Sequence, residues 1–463
     1  MEFGKNYKDL FVGQDYKVPI INNRYKTYVN LDNAATTPPF NRVMDKINEF
    51  SAIYSSIHRG NGFKSLLTSE IYEQARYMAL KLINADTTKN TAVFVMNSTE
   101  AINMLVRLYK MDKNDIVIST RMEHHSNDLP WRQYANVKYI ETTPEGELDM
   151  EHFVKLIQTY KDRIKLVSIT GASNVSGYLN PIHEIARLTH EAGAAVILDA
   201  SQLVPHRFTD IRENNDIGHI DFVVYTSHKL YAPFGTGVLV GPRDFFNHME
   251  PVNTGGGTVK MVTEDDVIWD ETPEKNEAGT PNVMGAVALA ASIKQIQMLG
   301  YPSIEEHESS LTEYLLEGLK RINGIRIFGF PKADINKRLG VVSFQVEGVP
   351  HALVSAILSY EYGIGVRNGC FCAHPYVLRL LGVDKMEVER HRMDIMAGNK
   401  SQLPGLVRVS IGLQNTYEEI DKLLCTLKNI TRGEYSHNYY LDYKTGAYIH
   451  KDCDINYQNY FNF

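Results

Sequence analysis

The chain has little cysteine: four residues in 463, at Cys370, Cys372, Cys425 and Cys453. That is too few for a disulfide framework at this length, and it points to a reducing, cytoplasmic compartment. Positive charge is also in short supply. Lys and Arg total 48 against 55 Asp and Glu, a formal net charge of −7, which argues against a broad polycationic surface for nucleic acid. No uninterrupted apolar run approaches the ~20 residues of a membrane span. The opening MEFGKNYKDL lacks the apolar centre of a secretory leader. Neither a membrane nor a nucleic acid is therefore an expected partner. No internal repeat or low-complexity tract stands out. What is present, 43% apolar, 22% charged and 10% aromatic residues, is the make-up of a globular protein of roughly two or three domains.

Between about residues 90 and 242, short β-rich runs alternate with helical patterns, which predicts an α/β fold with a mostly parallel sheet. The expected strands are TAVFVM (91–96), DIVIST (115–120), IKLVSIT (164–170), AAVILDA (194–200), DFVVYTS (221–227) and TGVLVG (236–241). Polar residues cluster at their C-terminal ends, the edge at which open α/β sheets bind ligands. Asn97, Ser98, Thr99, Asn174, Asp199, Gln202, Ser227, His228 and Lys229 are thereby expected to converge on one crevice. After about residue 300 the pattern becomes that of a smaller α+β domain. From Gly433 onward the chain is aromatic and polar without a helical period, which reads as an appendage packed on the surface.

Asp199 and Lys229 each follow a predicted strand and lie thirty residues apart, the length of a strand, a crossover and the next strand. A lone lysine there reads as a solvated charge and a lone aspartate as a helix cap. Together they suit pyridoxal phosphate, which needs a lysine amine for a Schiff base and a carboxylate to keep the ring nitrogen protonated. Ser227 and His228 are placed to bond a phosphate, and Gln202 to donate to the ring oxygen. Thr99 opens the helical run EAINMLVRLYK, whose free amides would receive the phosphate, although threonine is also a common N-cap. Arg408 has the planar fork that holds an α-carboxylate through two hydrogen bonds.

LDNAATTP, NSTEAIN, MEHHSNDLPW, SNVSGYLNPI, LDASQ, TSHKLYAPFGTG, AGTPN, RNGCFCAHP and RVSIGLQNTYEEID, in this order over about residues 25–432, together resemble the class V aminotransferase superfamily of fold type I pyridoxal phosphate enzymes. Within it the sequence is most similar to the cysteine desulfurase and selenocysteine lyase group. The resemblance implies a homodimer with the active site at the subunit interface. It also implies four regions: an N-terminal segment associated with the small domain (1–45), a large cofactor domain (46–300), a small domain carrying the cysteine loop (301–432) and an extension (433–463). By position, Lys229 matches the Schiff-base lysine, Asp199 the pyridinium partner and Gln202 the neighbour of the ring oxygen. Thr99, Ser227 and His228 match phosphate ligands. His124 matches the histidine stacked on the ring, which shuttles protons. Thr280 matches a residue that reaches the phosphate from the other subunit, and Asn174 and Arg408 match the substrate-carboxylate ligands. His58 and Arg59 in SIHRGNG match a motif near the pocket entrance. The implied substrate is L-cysteine, or selenocysteine, with a sulfur-acceptor protein as a further partner.

RNGCFCAHP places Cys372 at the family's nucleophilic cysteine and Arg367 at the preceding arginine, while Cys370 and Phe371 replace residues that are usually histidines. A thiolate there can attack the sulfur of cofactor-bound cysteine and leave alanine and an enzyme persulfide. Three readings of the pair stand side by side: a persulfide carrier at Cys372, a metal site from Cys370, Cys372 and His374, and small packed core residues. No metal is expected, because a Cys-x-Cys-x-His cluster is shorter than the spaced pairs of structural zinc sites. Gly-Cys-Phe-Cys also resembles the molybdenum-cofactor sulfurases, which leaves the acceptor open. The 36-residue interval from Cys372 to Arg408 is long for the nearest branch and reads as a surface decoration, a lid or a docking surface. Two rival functions remain at this stage: another enzyme of the superfamily (lyase, epimerase or aminotransferase) with incidental cysteines, and a non-catalytic sulfur-carrier or assembly subunit.

Overall fold

The computed structural model describes residues 6–330, 334, 336–453 and 455–463; the first five residues of the opening read as lacking a leader lie outside that set. All six expected runs form strands of one sheet: β1 (Asn90–Val95), β2 (Ile116–Thr120), β4 (Ile164–Thr170), β5 (Ala195–Asp199), β6 (Phe222–Thr226) and β7 (Gly237–Pro242). A seventh, β3 (Asn136–Ile140), was not anticipated; it is an edge strand with four of its five residues only half-buried, so its sequence carries little apolar signal. The order is β1-β7-β6-β5-β4-β2-β3. Neighbours from β6 to β3 are parallel, and β7 is antiparallel to both β6 and β1. Six strands therefore deliver their C-terminal ends to one edge.

Alternate residues of each strand face opposite layers, as the two-residue pleat requires. Val93, Val117, Leu166, Ile197, Val224 and Leu239 pack on one face with Ile102 and Leu105 of helix Ser98–Leu108. Ala92, Ile118, Val167, Val196, Val223 and Val238 pack on the other face with helices Phe63–Leu82 and Val283–Leu299. Burial of each Val, Leu or Ile contributes about 1.5–3 kcal/mol. This two-sided covering explains why the strands read as nearly continuous apolar runs. Helix Val283–Leu299 is apolar because most of its side chains are buried in this layer. Among the described residues no single helix is long and apolar enough to cross a membrane.

A second sheet is antiparallel throughout, in the order β8 (Ile325–Phe328), β9 (Val341–Val346), β11 (Leu406–Ser410), β10 (Arg367–Gly369). Val342, Phe344, Val407 and Val409 pack with Leu315, Ile357 and Leu423 from three helices. Val29 and Leu31 join this core, and Val29–Asn30 pairs in parallel with Ile364–Gly365. Asp32, two residues beyond this pairing and bridged to Ser410, is thereby carried to the seam between the two sheets.

The C-terminal residues form a hairpin, Tyr439–Asp442 with Ala447–His450. It is anchored where the Tyr439 hydroxyl donates to Glu361 Oε1 at 3.0 Å. Between Cys372 and Arg408 lie helices His374–Leu381 and Lys385–Met396. The latter buries none of its side chains and is held by an Asp384 cap and by Arg390–Glu387 and Arg392–Glu389 pairs. The Lys400 amide joins this segment to the hairpin through the Tyr443 carbonyl, at 2.8 Å.

Candidate active site

Asp199 ends β5, and Lys229 lies three residues beyond the end of β6, which pairs in parallel with β5 at Asp199↔Val224. Both line one cavity of about 320 Å³ at the C-terminal edge of the large sheet, together with Thr99, His124, Asn174, Gln202, His228, Arg367, Cys372 and Arg408. Ten sequence-predicted residues therefore share one space. Burial, opposed by the Asp199 carboxylate and aided by the Arg408 charge, pushes the Lys229 amine down to about 8. Gln202 is buried and donates its amide to the Ala34 carbonyl at 2.7 Å.

One end of the cavity is a helix N-terminus. Asn97 caps helix Ser98–Leu108 by accepting from the Glu100 amide, and Glu100 Oε2 accepts from the amide of Met96, the residue before the cap, at 2.7 Å, which fixes the entry of the chain into the helix. Ser98 and Thr99 open the helix on the cavity wall, where their backbone amides and the helix dipole favour an anion. Gly237 is required here because a Cβ on it would lie 2.5 Å from the Asn97 backbone.

His124 stands over the cavity with its ring fixed. Its Nδ1 faces the Ser126 amide at 3.2 Å and the Ser126 hydroxyl at 3.0 Å, and that hydroxyl is 2.6 Å from Thr99 Oγ1. An amide donor at Nδ1 assigns the proton to Nε2. Burial and the Lys229 charge, against Asp199, hold His124 down to about 4, so the ring is neutral at pH 7. Behind it Glu123 accepts from Thr120 Oγ1, Asn127 Nδ2 and the Thr170 amide; burial nonetheless pushes its carboxyl up to about 8. Glu123 and Ser126 lie inside the MEHHSN motif but were not singled out in the sequence, where only the histidines carried a chemical signal.

The far wall carries two arginines directly opposite each other across strands β10 and β11, Arg367↔Arg408. Like charges in that position repel. Asp32 relieves the repulsion, with Oδ1 2.9 Å from Arg408 Nη2 and Oδ2 3.4 Å from Arg367 Nη1. Arg408 is 2% exposed. Its Nη1 donates to the Asn174 carbonyl at 3.0 Å, and its Nε has no partner among the described residues. Two guanidinium groups around one carboxylate make a receptor for an acid. Asp32 was missed because nothing in LDNAATTP marks it as other than a turn residue. Asp32→Ala is expected to cost about 2–3 kcal/mol, since a buried guanidinium loses its partner, seen as a drop of several degrees in Tm. It is also expected to raise KM for an amino-acid substrate roughly tenfold while sparing kcat.

Cys372 enters the cavity from a loop that follows β10. The His125 amide donates to the Cys372 carbonyl at 2.7 Å, and Asn174 Nδ2 donates to the Phe371 carbonyl at 2.7 Å. The Cys372 side chain is exposed, whereas Cys370 is buried with its thiol 3.2 Å from the Pro404 carbonyl. His374 turns away to stack on His125 at 5.0 Å. Cys370, Cys372 and His374 therefore do not converge as a metal site among the described residues.

Four other expected residues do not line this cavity. Ser227 is fully buried behind it, its hydroxyl accepting from the Thr236 amide at 3.2 Å. Thr280 is exposed in the loop before helix Val283–Leu299. The His58 amide donates to Ser69 Oγ, and Arg59 reaches the Val259 carbonyl at 3.2 Å.

The profile described as Aminotransferase class-V matches residues 29–423, and the chain belongs to that family. It is 34% identical over 405 residues to a cysteine desulfurase of Haloferax volcanii, covering 86% of this chain and 88% of the relative. It is 34% identical over 432 residues to a probable cysteine desulfurase of Synechocystis, covering 91% and 95%. The apo cysteine desulfurase of Thermococcus onnurineus superposes with a TM-score of 0.77 at 30% identity, over 88% of this chain and 95% of that one. The Escherichia coli cysteine desulfurase CsdA (S-sulfonic acid) gives 0.74 at 27%, over 88% and 96%. The architecture is thus that of the fold type I pyridoxal phosphate enzymes, and the cofactor is pyridoxal phosphate.

The residues present fit that cofactor. A helix N-terminus faces where a phosphate would sit, and a buried carboxylate and an amine of lowered basicity share the enclosed space. The amine must be neutral to attack the aldehyde, so capture of pyridoxal phosphate by cofactor-free protein is expected to accelerate about tenfold from pH 7 to 9 and to level off above the lysine's value. Stopped-flow absorbance at several pH values measures this directly.

Proposed function

We propose that this protein is a pyridoxal phosphate-dependent cysteine desulfurase that releases L-alanine from L-cysteine and carries the sulfur as a persulfide on Cys372. The observation that carries the reading is the exposed Cys372 thiol on the wall of the cavity that also holds Lys229, Asp199 and Arg408. Arg408 and Arg367 hold the substrate carboxylate, and Asn174 fixes the loop beside it. When bound, the cofactor supplies an electron sink conjugated to the substrate α-carbon. Asp199 holds the ring nitrogen protonated, Lys229 moves the α-proton, and neutral His124 donates or accepts at Nε2. The Cys372 thiolate attacks the substrate sulfur. An S–S bond forms, the Cβ–S bond breaks, and its electron pair stays with the carbon skeleton, which takes up protons and leaves as alanine.

The homodimer belongs to the same reading. Thr280, His58 and Arg59 lie on the surface off the single-chain cavity, and Phe63, Leu66, Met261, Val262 and Ile268 are exposed apolar side chains on nearby segments. A second copy would cover them and bring Thr280 to the phosphate. The acceptor is proposed to be a protein approaching the reactive loop. Beside that loop runs a groove of about 1270 Å³, lined by Cys370, His374, His391, Arg392 and the C-terminal hairpin. The low cysteine content, four residues in 463, supports a reducing, cytoplasmic setting.

Incubation of the purified protein with L-cysteine, followed by intact mass and peptide mapping, tests the proposal. One added sulfur on Cys372 with equimolar alanine is expected. Formation of pyruvate and ammonia with no sulfur on the protein would replace it with a lyase.

A further inference from the structure

Among the described residues, one cluster remote from the cavity brings three metal-ligating atoms within 4.8 Å of one another: His190, His219 and Asp221. Asp221 immediately precedes β6, and His190 lies in the last turn of helix Ile182–Glu191. The cluster therefore sits at the N-terminal end of the parallel strands, the opposite edge from Asp199 and Lys229.

The orientation of the rings is what distinguishes it. His190 Nδ1 donates to the Ile217 carbonyl at 2.7 Å, and His219 Nδ1 donates to the Asp216 carbonyl at 2.6 Å. Both rings are thereby fixed with Nε2 directed at a single carboxylate, at 2.8 Å from Asp221 Oδ2 and 3.2 Å from Oδ1. The rings stack 4.3 Å apart, and the Val196 amide anchors Asp221 at 2.8 Å. Two neutral imidazoles in this tautomer would point lone pairs at an anion, so something positive must stand between them. Protons on both nitrogens would satisfy the contacts but would place two stacked cations face to face. Other charges nearby do not intervene: Arg212 is paired with Asp216, and His183 Nδ1 is engaged with the Gly218 carbonyl.

We propose that His190, His219 and Asp221 bind one divalent transition-metal ion of the Zn²⁺ class, with water in the fourth position. Two imidazoles and a carboxylate are a ligand set for such ions, and ring nitrogens whose other N–H is held by a backbone carbonyl are the usual outer support. A tetrahedral ion with ~2.0–2.1 Å bonds needs its ligand atoms roughly 3.3 Å apart; the two imidazole–carboxylate separations are 2.8 and 3.2 Å and all three ligand atoms lie within 4.8 Å, so small side-chain shifts complete the set. The side chains are 15–19% exposed, which leaves a path for the ion and its water. The ion would clip helix, loop and strand together on the side of the sheet away from catalysis.

The test uses full-length, cofactor-loaded protein stripped with a chelator and titrated with Zn²⁺ or Co²⁺. Expected are one equivalent bound, visible d–d absorption with Co²⁺, proton release at pH 6.5 and a rise in Tm. His219→Ala and Asp221→Asn are expected to weaken binding on the order of 100-fold or more. A Cys370→Ser/Cys372→Ser protein is expected to bind as before, which separates this site from the thiols. Because uptake and proton release are read on the unaltered protein, misfolding of a variant does not blur the result. Less than a tenth of an equivalent bound at tens of micromolar Zn²⁺, uptake without proton release, or unchanged binding in a folded His219→Ala protein overturns the proposal.

Discussion

Cys372→Ala is expected to lower alanine formation from L-cysteine by on the order of 10³-fold or more, because the exposed thiol on the cavity wall is removed. Substrate binding should survive. Lys229, Asp199, Arg408 and Asp32 keep their contacts, so L-cysteine still changes the visible absorption of the cofactor in the variant. Cys370→Ala is the matched comparison. Its thiol is buried beside the Pro404 carbonyl, and burial pushes it up to about 12, so it is almost entirely protonated at pH 7 and a poor attacking group. Activity within a few-fold of the parent is expected there, with a stability loss of about 1 kcal/mol for the packing lost. Alanine production undiminished in Cys372→Ala would show that sulfur leaves without this thiol. Equal loss in both variants would move the chemistry to the pair.

The loop that presents Cys372 is strained and tied down. Phe371 and Cys372 both have positive φ, 52° and 55°, a region that costs a residue with a side chain roughly 1–2 kcal/mol. The His125 amide on the Cys372 carbonyl, Asn174 on the Phe371 carbonyl and the Phe371 ring 4.9 Å from the Arg408 guanidinium hold it there. Under the proposed function two of those anchors, Asn174 and Arg408, also belong to the substrate-binding wall. A substrate carboxylate arriving at Arg408 would then act on the same contacts that set the position of the thiol, which would couple substrate binding to the placement of the nucleophile.

What could be read from the sequence follows from burial. Strands β1, β2 and β4 to β7 are covered on both faces, so their apolar runs were unmistakable, and the polar residues at their ends marked Asp199 and Lys229. β3 went unseen because an exposed edge alternates too weakly. The antiparallel course of β7 had no sequence signature either, since pairing direction depends on the crossover and not on composition. Arg408 and Cys372 were legible from residue chemistry and motif. Asp32, Ser126 and Glu123 were not, because their roles lie in whom they touch: Asp32 between two arginines, Ser126 between Thr99 and His124, Glu123 among Thr120, Asn127 and the Thr170 amide. The same limit applies to His219, an unremarkable residue in the sequence whose place beside His190 and Asp221 exists only in the folded chain.

Lys229→Ala should be the most damaging substitution. In the proposed reaction the lysine is both the covalent anchor of the cofactor and the group that moves the substrate α-proton, and proton transfer by a placed side chain alone contributes about 10²–10⁴-fold. Loss of both roles predicts turnover down by at least the upper end of that range. Borohydride should no longer fix cofactor to the protein, a readout independent of turnover. Lys229→Arg tests whether charge suffices: a guanidinium stays protonated at any accessible pH, so it can neither attack the aldehyde nor accept a proton, and it should be as inactive as alanine. Cofactor retained noncovalently by Asp199 and the helix N-terminus would be expected in Lys229→Ala, with added small amines restoring part of the activity in proportion to their neutral fraction. Should borohydride still attach cofactor to the Lys229→Ala protein, another lysine would be the anchor, and the pairing of Asp199 with Lys229 across β5 and β6 would lose its chemical meaning.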